Sequence, residues 1–186
     1  MSNCFDAITA HSLPILDFSC QDVLIDYMLF NHGIMRASER LLETAINRAG
    51  FGPVRKYYVK HLGEETNHAA WIAADLATIG VKPPQVHWRA ARLAGTQYYL
   101  IHHVSPMALL GYMAALESRP MALSDVEKLE QVYSIDLIRT IRYHAEHDIE
   151  HGADLLALIA TLDSKTQDLI TDNARHTARL LSREDY

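Results

Sequence analysis

His144, Asp148 and His151 stand four and three residues apart. On an α-helix that spacing puts them on one face, with neighbouring Cβ atoms about 5–6 Å apart. Two imidazoles and a carboxylate that converge in this way form a metal-chelating set. The same stripe continues through Leu137 and Ile141 on one side and Leu155, Leu158 and Leu162 on the other. A stripe with leucines at both ends faces a core. Three ionisable groups in the middle of a buried stripe are costly unless something compensates them. Arg139, Arg142, Glu146 and Glu150 fall on other faces, as solvated residues do.

A second segment, 54–79, has the same apolar–polar–apolar profile in Tyr58, Leu62, Glu65, His68, Ile72 and Leu76. Its centre, Glu65-x-x-His68, is the i, i+3 unit that recurs in helical carboxylate-bridged dimetal proteins. Glu64 reaches His68 at i+4 and is the alternative carboxylate. Glu117 ends the apolar run 106–117, with Leu110, Met113 and Ala114 on its own face. Together these segments offer three carboxylates and three histidines on three helices. Such a mixed nitrogen and oxygen set suits first-row metals, iron or manganese most naturally. A catalytic zinc ion takes only three protein ligands, so six donors are right for two ions. A bridging carboxylate can hold two ions about 3.5–4 Å apart.

The elements that must position these residues read as helical throughout. Apolar residues recur at spacings of three and four, and no alternating run of useful length is present. Breaks fall near Leu13-Pro14, Gly50-Phe51-Gly52-Pro53, Gly80-Val81-Lys82-Pro83-Pro84, Ser105-Pro106, Ser118-Arg119-Pro120 and Thr161-Leu162-Asp163. Ser19 or Asp22 is expected to open an early helix. Ser124-Asp125-Val126-Glu127 has the form of a capping box, which predicts a helix start at Asp125. Pro106 is expected to end or kink a helical segment. The expectation is one all-α domain over residues 1–186, a bundle of about seven helices.

Composition excludes other classes. Hydrophobic residues make up 49% and charged residues 22% of 186 positions, and the net charge is −6. That balance lacks the basic excess of a nucleic-acid binder. No apolar run is long enough for a bilayer, and the first residues lack a signal-peptide pattern, so the expected location is cytoplasmic. Cys4 and Cys20 form no CxxC pair and read as buried or half-buried thiols. Eleven histidines point to nitrogen and oxygen metal chemistry rather than thiolate chemistry.

At these residues the chain resembles the haem-oxygenase-like diiron oxidases and oxygenases. Their pattern is Glu and His on one core helix, Glu on the next, and His-x-x-x-Asp-x-x-His on the third. Here that gives Glu65 and His68, then Glu117, then His144, Asp148 and His151. The resemblance implies a haem-oxygenase-like fold, two Fe(II) ions (or manganese) and dioxygen as co-substrate. It implies oxidation of a small substrate derived from an amino acid, an amine or a fatty acid, by N-oxygenation, desaturation or oxidative carbon–carbon cleavage. Expected partners are that substrate, an electron donor and a second copy of the chain. The alternatives are a metal-independent cofactor-biosynthesis enzyme of the same fold and a non-enzymatic metal-binding bundle. Thiaminase-type relatives need a cysteine in mid-chain, where this sequence has none.

Other polar residues have plainer expectations. His102 and His103 are ordinary half-buried residues. His147 is a candidate partner to the ligands. Glu39, Glu43, Asp75, Glu146 and Asp154 read as solvated charge, and the tail after Ser182 as frayed.

Overall fold

The computed structural model describes residues 16–117 and 121–182, with the side chains of residues 148–150 outside the description. Among the described residues there are eight α-helices and no strands. They are α1 (Gln21–Arg48), α2 (Pro53–Glu65), α3 (His68–Ala77), α4 (Trp88–His103), α5 (Leu109–Glu117), α6 (Leu123–Glu130), α7 (Ile135–Ala160) and α8 (Ser164–Ser182). A 3-10 turn, Pro106–Ala108, leads into α5.

Helix α5 is apolar on every side, so it is the buried centre of the bundle. It packs on α7 and most closely on α8. Gly111 permits that approach: a Cβ there would overlap the Ile170 carbonyl oxygen and lie 2.9 Å from the Ala174 amide nitrogen. Helix α1 lies across α2, α3 and α4.

Two apolar clusters form the core. One gathers Leu41, Leu42, Tyr58, Leu93, Leu110, Leu155 and Ile170. The other gathers Leu24, Met28, Ile72, Leu76, Val126, Ile138 and Ile141. Helix α7 contributes to both, Leu137 to Ala145 to the second and Leu155 and Ile159 to the first. The stretch 144–151 spans the junction between them, as its leucine-flanked stripe predicts.

Several local expectations change. The segment 54–79 is not one helix: it breaks at Thr66 and Asn67, where Asn67 takes a left-handed conformation (φ 75°). Asparagine tolerates that region better than most residues. The Asn67 amide donates to Glu39 Oε1 at 3.0 Å, so Glu39 is a tertiary cap rather than solvated charge. The capping box at Ser124 does not form. Ala122 is extended and accepts the first helical bonds, so α6 starts at Leu123, one turn position too early for Ser124 to cap it. Neither Ser19 nor Asp22 caps α1; Cys20 holds that position, and it is exposed rather than buried. Pro106 opens a new element, with Ser105 Oγ accepting from the Met107 amide. The expected break at 118–120, Leu13-Pro14, Cys4 and the tail beyond Ser182 lie outside the described residues.

Candidate metal centre

Helices α2, α3, α5 and α7 bring two groups of donors together. In the first, His61, Glu117 and His151 place ligand atoms within 4.8 Å of one another; in the second, Glu65, His68 and His144 do the same. His61 Nε2 lies 3.0 Å from Glu117 Oε1 and 3.8 Å from Glu65 Oε1, so the two groups adjoin. His144 Nε2 lies 3.1 Å from His68 Nδ1, and His68 Nδ1 lies 3.7 Å from Glu65 Oε2.

Of the residues singled out by spacing, Glu65, His68, Glu117, His144 and His151 therefore meet. Asp148 lies on α7 between His144 and His151, and its side chain is outside the described residues. Glu64 lies further out, 3.5 Å from Lys60 Nζ, 3.4 Å from His61 Nδ1 and 3.9 Å from His151 Nε2. His61 is the donor that spacing alone did not single out. It stands four residues before Glu65 and seven before His68, on the same helical stripe, so a signal was present.

The donor set fits metal. Glu65 is the last residue of its helix, where the macrodipole is negative and a carboxylate is disfavoured. A cation at the site reverses that penalty. Glu117 Oε2 and His61 Nδ1 are buried with no hydrogen-bond partner. Two nitrogen donors side by side on one ion at about 2.1 Å stand about 3 Å apart. His144 Nε2 and His68 Nδ1 have that separation.

Protonation follows from the same contacts. Burial pulls the His61 imidazolium down, but the hydrogen bond to Glu117 and the charges of Glu117, Glu65 and Glu64 outweigh it and hold its pKa at about 9. Burial pushes the Glu65 carboxyl up, yet the surrounding His68, His61 and His144 imidazoles keep it below its ordinary value. Burial drives His144 down, with a partial offset from the Thr140 carbonyl. His144 Nδ1 lies 2.8 Å from that carbonyl oxygen, which can only accept, so Nδ1 carries the proton and Nε2 presents its lone pair to the site.

Asp75 sets this arrangement from behind. It was expected at the surface, yet it is fully buried (0% exposed). Its carboxylate accepts from the Thr140 amide at 2.8 Å, from the Thr140 hydroxyl, and from Arg139 Nη2 at 2.7 Å. Thr140 is thereby pinned, and its carbonyl orients His144. Aromatic rings close the outer side: Trp71 lies 4.5 Å and Tyr143 5.4 Å from the His68 ring, and Tyr57 stacks on His61 at 5.8 Å.

The remaining candidates lie apart. His147 is exposed and stacks on Tyr143, with Nδ1 donating to the Tyr143 carbonyl. His102 and His103 are exposed on α4. Glu43 pairs with Arg40, Glu146 with Arg142, and Asp154 with Lys60.

Among solved structures, the chain is similar to a domain of unknown function with a heme oxygenase-like fold from Shewanella denitrificans OS217, with a TM-score of 0.71 and 13% identity over 96% of this chain and 81% of that one. That likeness places the bundle in the haem-oxygenase-like fold. A family model described as iron-containing redox enzyme matches residues 34–183, and the chain belongs to that family. No curated protein matches the chain. No helix among the described residues is long and apolar enough to cross a membrane.

Proposed function

We propose that this protein is a non-haem diiron oxidase or oxygenase that uses dioxygen to oxidise a small organic substrate. The observation that carries the reading is the pair of adjoining donor groups, each with two histidines and one carboxylate. Two imidazoles and a carboxylate on one face are the donor set of non-haem Fe(II) oxygenases, which leave coordination positions open. Two ferrous ions, when bound, supply the reducing electrons and open positions that dioxygen chemistry needs.

In this reading His61, Glu117 and His151 hold one ion and Glu65, His68 and His144 the other, with Asp148 as a further ligand from α7. The chain's own residues prepare the site. Thr140 fixes the His144 tautomer, and Asp75 fixes Thr140. His61 Nε2 donates to Glu117 Oε1 in the metal-free protein, and that proton would leave if both residues turned to metal. Trp71, Tyr143 and Tyr57 keep water from the outer side of the imidazoles. A small-molecule substrate and an external electron donor complete the proposal.

Anaerobic Fe(II) loading followed by metal analysis tests it. The expected result is about two irons per chain, together with dioxygen consumption when a chemical reductant is supplied. One tightly held ion per chain, or iron that does not react with dioxygen, overturns it.

A further inference from the structure

Helices α1 and α4 flank a groove of about 370 Å³ that lies apart from the donor groups. Its polar lining is His32, Arg36, Arg40, Gln85, His87 and Tyr98. Among the described residues, none of the lining belongs to either donor group or lines the cavity that His61, Glu65, Glu117 and His144 border. Helix α1 separates the two regions by its own periodicity. Ile34, Met35 and Leu41 turn to that cavity, and Gly33, Arg36 and Arg40 to the groove. Gly33 lets α1 meet the first turn of α4: a Cβ there would lie 2.7 Å from Ala90 Cβ and 3.1 Å from His87 Cβ.

Every polar side chain of the lining can donate a hydrogen bond. Arg36 and Arg40 are exposed and carry fixed positive charge. Glu43 takes one edge of Arg40 at 2.8 Å, and Glu39 is committed to the Asn67 amide. Arg36 pairs with no carboxylate among the described residues. His87 Nδ1 accepts from the Ala90 amide, so the proton of the neutral ring sits on Nε2, which donates. His87 is also the N-cap of α4, whose first turn holds no acidic residue. The positive end of the macrodipole therefore adds to the field of the two arginines. His32 is half-buried between them, and burial with the Arg36 and His87 charges holds its pKa below the ordinary histidine value.

We infer that this groove binds a small organic anion, whose carboxylate or phosphate group meets Arg36, Arg40 and His87 while its body covers Val86 and Ala91. A guanidinium fork matches either oxyanion in two parallel hydrogen bonds. The volume falls within the range of about 300–1,000 Å³ usual for small-molecule sites, so a lone inorganic ion would leave most of it unfilled. The site stands independently of the metal chemistry proposed above, since its residues are separate from both donor groups.

The test is titration of the full chain at low salt, metal-free by NMR and Fe(II)-loaded under anaerobic conditions by calorimetry. The probes are phenyl phosphate, benzoate, benzyl alcohol and benzylammonium. Either or both anions are expected to bind, at least about tenfold more tightly than the alcohol and the ammonium. The tighter of the two anions identifies the recognised group. Arg36→Gln is expected to weaken anion binding about tenfold, the loss of a charge-assisted contact. Arg36→Lys is expected to recover part of it, because charge returns without the fork. Ala91 is exposed on α4, and Ala91→Glu is expected to abolish anion binding by placing a like charge in the groove. In the NMR titration, bound benzoate is expected to raise the His32 pKa, since an anion beside the ring favours the imidazolium. No saturable binding of either anion overturns the inference. So does benzyl alcohol or benzylammonium binding as tightly, anion binding that survives both Arg36→Gln and Ala91→Glu, or a His32 pKa that does not move.

Discussion

His144 Nε2 on α7 and His68 Nδ1 on α3 lie 3.1 Å apart, although 76 residues separate them in the chain. That approach joins two helices into one donor group. The Glu117 pairing with His61 does the same for α5 and α2. The bundle therefore brings together two adjoining donor groups, one from α2, α5 and α7 and the other from α2, α3 and α7.

This division predicts separable losses. His144→Ala should remove about one iron per chain and His61→Ala about one, from opposite groups. The double variant should retain neither. Metal analysis after desalting reads each value. Equal loss of both ions in each single variant would show that the two sites fill only as a unit.

Asp75 predicts a coupled effect on stability and on metal. Asp75→Ala leaves the Thr140 amide and hydroxyl without their buried acceptor, a cost of about 2–4 kcal/mol. Arg139 adds little, because its side chain is 60% exposed and solvent screens the pair. Urea unfolding of metal-free protein reads the stability. Iron affinity should fall by about tenfold as well, since His144 loses its fixed orientation.

Gly111 and Gly95 predict opposite signs for one substitution. Gly111→Ala pushes a methyl into the α8 backbone and should cost about 2 kcal/mol or more. A Cβ at Gly95, on exposed α4 surface, meets nothing within 4 Å. Gly95→Ala should therefore stabilise by about 0.5–1 kcal/mol through helix propensity. Thermal melts of the two variants, side by side, should move in opposite directions.

His32 predicts a pH dependence on the acid side. Burial, the Arg36 charge on its own helix and His87 across the groove hold its pKa below 6.5. Arg40 and Tyr98 line the same groove. The unfolded chain protonates first as pH falls. The stability His32 contributes is thus fully present above about pH 6.5 and is lost as pH falls below it. His32→Gln should flatten that part of the stability–pH curve, and the wild-type minus variant difference isolates the effect. A difference curve with no slope below pH 6.5 would remove His32 from the account.

The all-helical fold and the convergence of His144 and His151 with other donors were legible because both rest on local periodicity. A helix covering 137–162 was expected and Ile135–Ala160 is observed. His144 and His151 stand inside a leucine stripe, and each reaches a donor group. Glu65 and His68 were legible on the same basis, even though the helix breaks between them. Glu64 and Glu65 could not be told apart by spacing alone. The structure puts Glu65 beside His68, and Glu64 beside Lys60, His61 and His151.

Helical spacing, a local property, thus determined by itself that His144 and His151 fall on one face of a helix, together with the expectation that such donors suit two metals. Only the tertiary structure decided what faces those ligands. His61 enters the first group because Glu117 on α5 lies opposite it, and Asp75 is buried because Thr140 on α7 packs against it. Glu39 becomes a cap because Asn67 breaks the helix beside it. Each of these depends on a partner from a remote segment, and periodicity within one helix carries no information about which helix will lie across from it.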